Sequence, residues 1–262
     1  MIALTIAGSD SSGGAGIQAD LRTFAAFGVH GASVITAVTA QNTAAVRAIH
    51  HIPADMVSAQ MDAVFEGLDV AAVKIGMPGQ GAAIEAIASG LASRNPRFIV
   101  LDPVMIATSG AELLAKNDVG ALLRLLVPLA HLVTPNLMEA AAMTGEATAQ
   151  DDDAVLRQAV AIQRMGARAV LIKGGHGFGP ESVDLLVHAQ GVVRFARPRI
   201  DTPGMRGTGC MLSSAIAANV AKGKTLVEAV NAAKAYVTEM IAGSGRLARS
   251  LGSNGNDRLD QA

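Results

Sequence analysis

Short β-branched runs return again and again between longer stretches whose apolar residues recur every three or four positions. This alternation limits the folds open to the chain more than any other feature. Ile2 to Ala7, Ser33 to Thr39, Val46 to Ile52, Val70 to Ile75, Phe98 to Leu101, Leu132 to Thr134 and Ala169 to Ile172 read as strands. Between them, Ile17, Leu21 and Phe24 share one helix face, and Val57, Met61, Val64 and Phe65 share another behind Pro53, whose ring suits a first helical turn. Further helices are expected around Ala82 to Ser93 and Val119 to Leu126, and over Val155, Ala159 and Ile162. Asp184 to Val187 and Val192 to Phe195 read as a hairpin. Strands joined through helices lie parallel, so the expected fold is α/β, a largely parallel central sheet with helices on both faces.

The core must come from Ala, Val, Ile, Leu and Met, because half of the residues are apolar and only 3% are aromatic. With 262 residues and no linker-like stretch, one domain over 1–249 is expected. The helical pattern stops after Gly243, and 250–262 reads as a mobile tail. A net charge of −1 with no long run of one sign argues against nucleic acid or an anionic membrane as partner. The single cysteine excludes an internal disulfide and suits a reducing cytoplasm. The apolar N-terminus lacks a basic flank, and the longest uncharged stretches, such as Gly31 to Val46, carry Ser, Thr, Gln and Asn, so a soluble cytoplasmic protein is expected.

Gly207-Thr208-Gly209-Cys210 opens a helix in which Leu212, Ile216 and Val220 form an apolar stripe. Glycines there let a ligand approach the backbone, and the free N–H groups of the first turn suit an anion. The same dipole favours thiolate over thiol, so Cys210 is a candidate base, although a lone cysteine in a first turn also serves as a small buried hydrophobe.

In a parallel sheet, ligands sit beyond the C-terminal ends of the strands. The polar residues expected there are Gly8 to Gly14, Gln41-Asn42-Thr43, Lys74 to Met77, Asp102 to Met105, Thr134-Pro135-Asn136 with Glu139, and Lys173-Gly174-Gly175-His176. The first loop has the glycine separation of a P-loop, but Gly14 and Ala15 stand where Lys and Ser/Thr would be required. Asp102, Asn136 and Glu139 suit a magnesium–nucleotide complex, while Asn136 also suits a helix cap. The Gln41 amide can match a ring nitrogen beside an amino group. Asp151-Asp152-Asp153 reads as a set of first-turn acids rather than a metal cluster. Thr225 and Glu228 form a capping box before Leu226, Val230, Ala233 and Val237. His50, His51 and His131 lack ligand spacing and read as structural.

Taken together, Ala7-Gly8-Ser9-Asp10, Gly13 to Asp20, Ser33 to Thr43, Lys74 to Met77, Leu101 to Met105, Thr134 to Leu137, Lys173 to His176 and Gly207 to Cys210 resemble the bacterial hydroxymethylpyrimidine/phosphomethylpyrimidine kinases of thiamin biosynthesis, within the ribokinase-like superfamily. The resemblance runs from about Leu4 to Ile241 and implies a three-layer α/β/α fold. It also implies a homodimer, with ATP and Mg2+ used to phosphorylate 4-amino-5-hydroxymethyl-2-methylpyrimidine and then its monophosphate. By the same resemblance, Gln41 holds the aminopyrimidine edge, and Gly8, Ala15 and Met77 form its pocket. Cys210 is the base, Gly207, Thr208 and Gly209 join it in the anion hole, and Asp102 and Glu139 organise magnesium. Lys173, Asn136 and Arg206 lie on the nucleotide-phosphate side.

The chain departs from the family pattern in Arg206 for His, Met211 for Thr, Pro78 for Leu and Met138 for Pro, and it lacks a Gly-Pro-rich C-terminal signature. Two alternatives stay open: a pyridoxal kinase of the same lineage, and a pyrimidine-binding protein without transfer activity.

Overall fold

The computed structural model describes residues 1–42, 45–105, 113–175, 179–200 and 206–253, with the side chains of Lys116 and of 245–253 left aside. Its elements in chain order are β1 (Ile2–Asp10), α1 (Gly16–Ala26), β2 (His30–Gln41), β3 (Val46–His51), α2 (Ala54–Gly67), β4 (Val70–Ile75), α3 (Gly81–Arg94), β5 (Ile99–Leu101) and α4 (Lys116–Ala121). They continue with β6 (Leu132–Val133), α5 (Leu137–Thr144), α6 (Asp152–Arg164), β7 (Val170–Lys173), β8 (Glu181–His188), β9 (Gly191–Pro198), α7 (Thr208–Ala221) and α8 (Leu226–Ser253).

The strands form one nine-stranded sheet in the order β3-β2-β1-β4-β5-β6-β7-β8-β9. The centre, β2 through β7, is parallel, and antiparallel β3 and the β8–β9 hairpin finish the two edges. Alternation along each strand sorts the core into two slabs. Leu4, Ile6, Val73 and Ile75 face α2 and α3, while Ala3 and Ala72 face α1, α7 and α8. The result is the expected three-layer α/β/α fold.

Three features differ from the sequence pattern. Helix α7 is buried nearly all round, from Met211 to Asn219, rather than along one stripe, because α1 and α8 pack beside it and the sheet lies beneath it. The helix expected near Val119 to Leu126 is short and widens into a π turn over Leu122–Leu126. Helix α8 continues through Gly243 as far as Ser253, beyond the point where its apolar pattern fades, and 254–262 lie outside the described residues. Its start carries the expected box, with the Glu228 carboxylate accepting from the Thr225 N–H at 2.9 Å and from its hydroxyl at 2.8 Å. Asp151 caps α6 through the Ala154 N–H at 2.7 Å, in keeping with first-turn acids. His131 is likewise structural, its Nδ1 accepting from the Ile99 N–H at 3.2 Å.

Candidate active site

The strand ends open on a cavity of roughly 410 Å³. Every candidate residue from the sequence lines it: Gly8, Ala15, Gln41, Met77, Asp102, Asn136, Glu139, Lys173, Arg206, Gly207, Thr208, Gly209 and Cys210. Thr43 and His176 lie outside the described residues.

On the side of β1 and β2, Asp10 organises the glycine-rich loop. Its carboxylate accepts from the N–H and hydroxyl of Ser12 at 2.9 and 2.8 Å and from the Ala15 N–H at 2.8 Å. The Ser11 hydroxyl donates to the Gln41 carbonyl and accepts from the Gln41 N–H, each at 2.8 Å. The Thr39 hydroxyl lies 3.2 Å from Gln41 Oε1 and also reaches the Ser9 carbonyl at 3.0 Å. Gln41 is thus held by main chain and side chain, with its amide at the cavity. Met77 packs on Gly8, where a Cβ would strike its methyl group.

Backbone meets backbone between this loop and α7. Gly207 caps α7 with φ 73°, and a side chain there would collide with the Gly14 carbonyl. Gly16, with φ 58°, lies as closely against the Gly8 carbonyl. The first N–H groups of α7 lack intrahelical partners, and the residues that bear them line the cavity. The guanidinium of Arg206 donates to the Asn42 carbonyl, and its buried Nε has no partner among the described residues.

A second group gathers at β5, β6 and β7. Lys173 Nζ lies 2.7 Å from Asp102 and 3.6 Å from Glu139. Burial opposes charge on Asp102, yet the ammonium groups of Lys173 and Lys74 hold its carboxyl below the usual range. Burial, aided by the Asp102 charge, pushes Glu139 up. Lys173 titrates above its ordinary value, because the two carboxylates outweigh its burial. Asn136 and Glu139 form a reciprocal capping box on α5, with bonds of 2.8 and 2.7 Å. Asn136 is therefore a cap and a cavity residue at once, and Glu139 is buried rather than solvated.

Cys210 corrects one expectation. Burial pushes its thiol up to about 11, against the helix dipole and against nearby Lys74, so the folded protein favours thiol over thiolate there.

Two ion pairs of the site escaped the sequence reading, although Lys74 stood among the expected strand-end residues. Beneath Cys210, Lys74 and Asp20 form a fully buried ion pair at 2.8 Å. A lysine in the middle of the apolar run Val70 to Ile75 was the available signal. On the far wall, Asp184 and Lys234 pair at 2.8 Å beside Pro198, Val237, Thr238 and Ile241. There the signal was a lysine interrupting the stripe of α8.

The same sequence pattern and fold recur in known proteins. The sequence profile of the phosphomethylpyrimidine kinase family matches residues 10–254. A hydroxymethylpyrimidine/phosphomethylpyrimidine kinase of Rhizobium meliloti (strain 1021) is 58% identical over 246 residues, covering 94% of this chain and 92% of the relative. The crystal structure of phosphomethylpyrimidine kinase from Clostridium difficile 630 aligns with TM-score 0.82 and 44% identity, covering 92% of this chain and 99% of that one. Bacillus subtilis pyridoxal kinase, solved as an ADP complex, aligns with TM-score 0.84 and 37% identity over 90% of each chain. A match over this much of the chain, with the motif residues gathered around one cavity, makes the protein a member of the phosphomethylpyrimidine kinase family.

Proposed function

We propose that the protein is a bifunctional kinase of thiamin biosynthesis. It transfers the γ-phosphoryl group of ATP to the hydroxymethyl oxygen of 4-amino-5-hydroxymethyl-2-methylpyrimidine, and then a second phosphoryl group to the resulting monophosphate. The observation that carries this reading is the convergence of a heterocycle reader, an anion-binding helix start and a carboxylate–lysine cluster on one cavity.

Gln41 pairs with the aminopyrimidine edge, while Gly8, Ala15 and Met77 shape the ring pocket. The apolar wall at Pro198, Val237 and Ile241 accepts the purine of ATP, and Lys173, Asn136 and Arg206 serve its phosphates. The acceptor oxygen forms its bond to the γ-phosphorus as the bond to the departing ADP oxygen breaks, and the alcohol proton passes to the thiolate form of Cys210, which Lys74 and the start of α7 favour against burial. Gly207, Thr208, Gly209 and Cys210 supply N–H groups to the charge spread over the transferring phosphoryl.

The donor set fits magnesium. Asp102 and Glu139 offer hard carboxylate oxygens, and no group of three or more His, Cys, Asp or Glu among the described residues could hold a metal alone. Asp102 and Glu139 would hold the ion, with water and phosphate oxygens as its other ligands. When bound, magnesium neutralises phosphate charge and holds the polyphosphate in place.

We further read residues 1–249 as one catalytic domain, working as a cytoplasmic homodimer and followed by a terminal tail. No helix among the described residues is long and apolar enough to cross a membrane. The deciding experiment incubates purified protein with ATP, magnesium and the pyrimidine alcohol and resolves the products. Both mono- and diphosphate are expected, with Cys210→Ala losing mainly the first transfer, since the monophosphate acceptor is already anionic. Faster turnover of pyridoxal than of the pyrimidine would replace this reading with its sister activity.

A further inference from the structure

The buried pair beneath Cys210 has no part in the chemistry just described, yet it is built around that sulfur. Asp20 on α1 is wholly buried and accepts from Lys74 Nζ at 3.0 and 2.8 Å, from the Thr5 hydroxyl at 2.6 Å and from the Ser214 hydroxyl at 2.7 Å. Thr5 and Lys74 are register partners on the adjacent parallel strands β1 and β4, so the sheet itself sets both donors. Asp20 lies one turn after Gly16 on α1, and Ser214 lies one turn after Cys210 on α7. The Gly16 main chain lies near enough to the Cys210 sulfur to favour its charged form. Asp20 to Ser214 is a hydrogen-bonded rung between the helices, one turn below the cavity where Gly16 and Cys210 face each other.

Lys74 completes the arrangement from beneath. Its Nζ is so close to the strand end that a Cβ on Gly76 would come within 2.7 Å of it. The charged groups acting on Cys210 include Lys74 from β4, Asp20 from α1, Asp102 from the end of β5 and Lys173 from the end of β7, and of the two lysines Lys74 is the one held by the pair beneath the sulfur. A fully buried ion pair is weak evidence for stability, because desolvation offsets its attraction. A pair retained under the reacting sulfur calls for another account.

We infer that Asp20 and Lys74 are positioning residues for Cys210: the Asp20–Ser214 rung fixes where the sulfur lies, and Lys74 supplies the positive field that the sulfur needs when it takes the alcohol's proton. The inference rests on the proposed role of Cys210 as base. It makes the arrangement specific to the first transfer, where an alcohol must lose a proton, and leaves the second transfer to the anion hole and the carboxylates.

The test uses two variants of the full chain. Ser214→Ala cuts the rung and leaves the ion pair whole. The double variant Asp20→Asn with Lys74→Met removes both charges together, so that no lone charge is left buried. Because Cys210 is the only cysteine, iodoacetamide labelling reports on this sulfur alone. Ser214→Ala is expected to lower kcat of the first transfer about tenfold, the order of effect that small misplacements produce. Its KM for ATP and its rate for the second transfer should stay within about twofold of the parent.

The double variant, shown to be folded by a cooperative melt, should lose more of the first transfer and label more slowly at neutral pH. Should it fail to fold, Ser214→Ala decides alone. Equal losses in both transfers, or parental labelling with a parental ratio of the two rates, would overturn the inference and leave the pair a structural feature. Cys210→Ala separates the two claims. If it leaves the ratio of transfers unchanged, the base assignment falls, and the labelling rates of the other variants then decide whether Asp20 and Lys74 position the sulfur.

Discussion

Cys210 and Glu139 each carry two roles that single substitutions can separate. Burial holds the thiol up to about 11, whereas an unperturbed cysteine titrates near 9.0. The reactive species is the thiolate, so labelling of Cys210 should still be climbing at pH values where a free cysteine has levelled off. A plateau near the ordinary value would contradict the burial seen here. For Glu139, a glutamine keeps the reach-back to the Asn136 N–H that closes the capping box but removes the charge. Glu139→Gln should thus melt close to the parent while losing activity at low magnesium, and Glu139→Ala should also lose stability, by about 0.5–2 kcal/mol. Equal melting of both variants would remove the cap from the account. The cavity residues were legible in the sequence as strand-end groups, as a glycine-rich loop or as the glycine-rich start of α7. The pairing of Asp20 with Lys74 was not, since it joins α1 to β4 in a way that spacing alone does not reveal.

Among the elements, α7 does the most with the least side-chain chemistry. Its start is possible only because Gly207 takes φ 73° against the Gly14 carbonyl. Gly207→Ala is expected to cost at least about 1–2 kcal/mol from the left-handed backbone alone. The collision adds to that and moves the first turn, so activity should fall further than stability. Denaturant unfolding alongside turnover measures both, and an active, equally stable variant would mean the loop can relax at no cost. Strand β4 was read residue for residue as Val70 to Ile75, whereas β1 and β2 run past the expected Ala7 and Thr39 to Asp10 and Gln41. Periodicity failed where burial is not one-sided. Helix α7 is covered on nearly every side and so shows little amphipathic contrast, and α8 runs past Gly243 although its stripe has faded.

At the scale of the molecule, two buried lysines tie the halves of the sheet to the helices above it. Lys74 and Lys173 both titrate above the ordinary 10.5 in the folded state. For groups shifted in this direction, the stabilisation is complete below the unfolded value and is lost as pH rises through the folded one. The melting temperature should therefore hold from neutrality to about pH 9, where the raised Cys210 thiol begins to count against the fold, and drop more steeply beyond about pH 10 as the lysine pairs are lost; no further drop beyond about pH 10 would show that neither pair stabilises the fold. The alternation of strand and helix dictated the order of layers. The edge strands were legible as well, with Val46 to Ile52 returning as β3 and the expected hairpin as β8 and β9, although the antiparallel placement of β3 answers to pairing across the sheet rather than to the βα rhythm.

The close approach of Gly14 to Gly207, and of Gly8 to Gly16, bears on how such an enzyme can change through descent. A rim made of main-chain atoms holds its shape whatever happens to neighbouring side chains, and it tolerates no side chain of its own. On the proposed reading, drift in the choice of ring has few places to act, chiefly the side chains of Gln41 and Met77. A kinase built on this rim would exchange one ring alcohol for another through those side chains and leave the main-chain rim as it is.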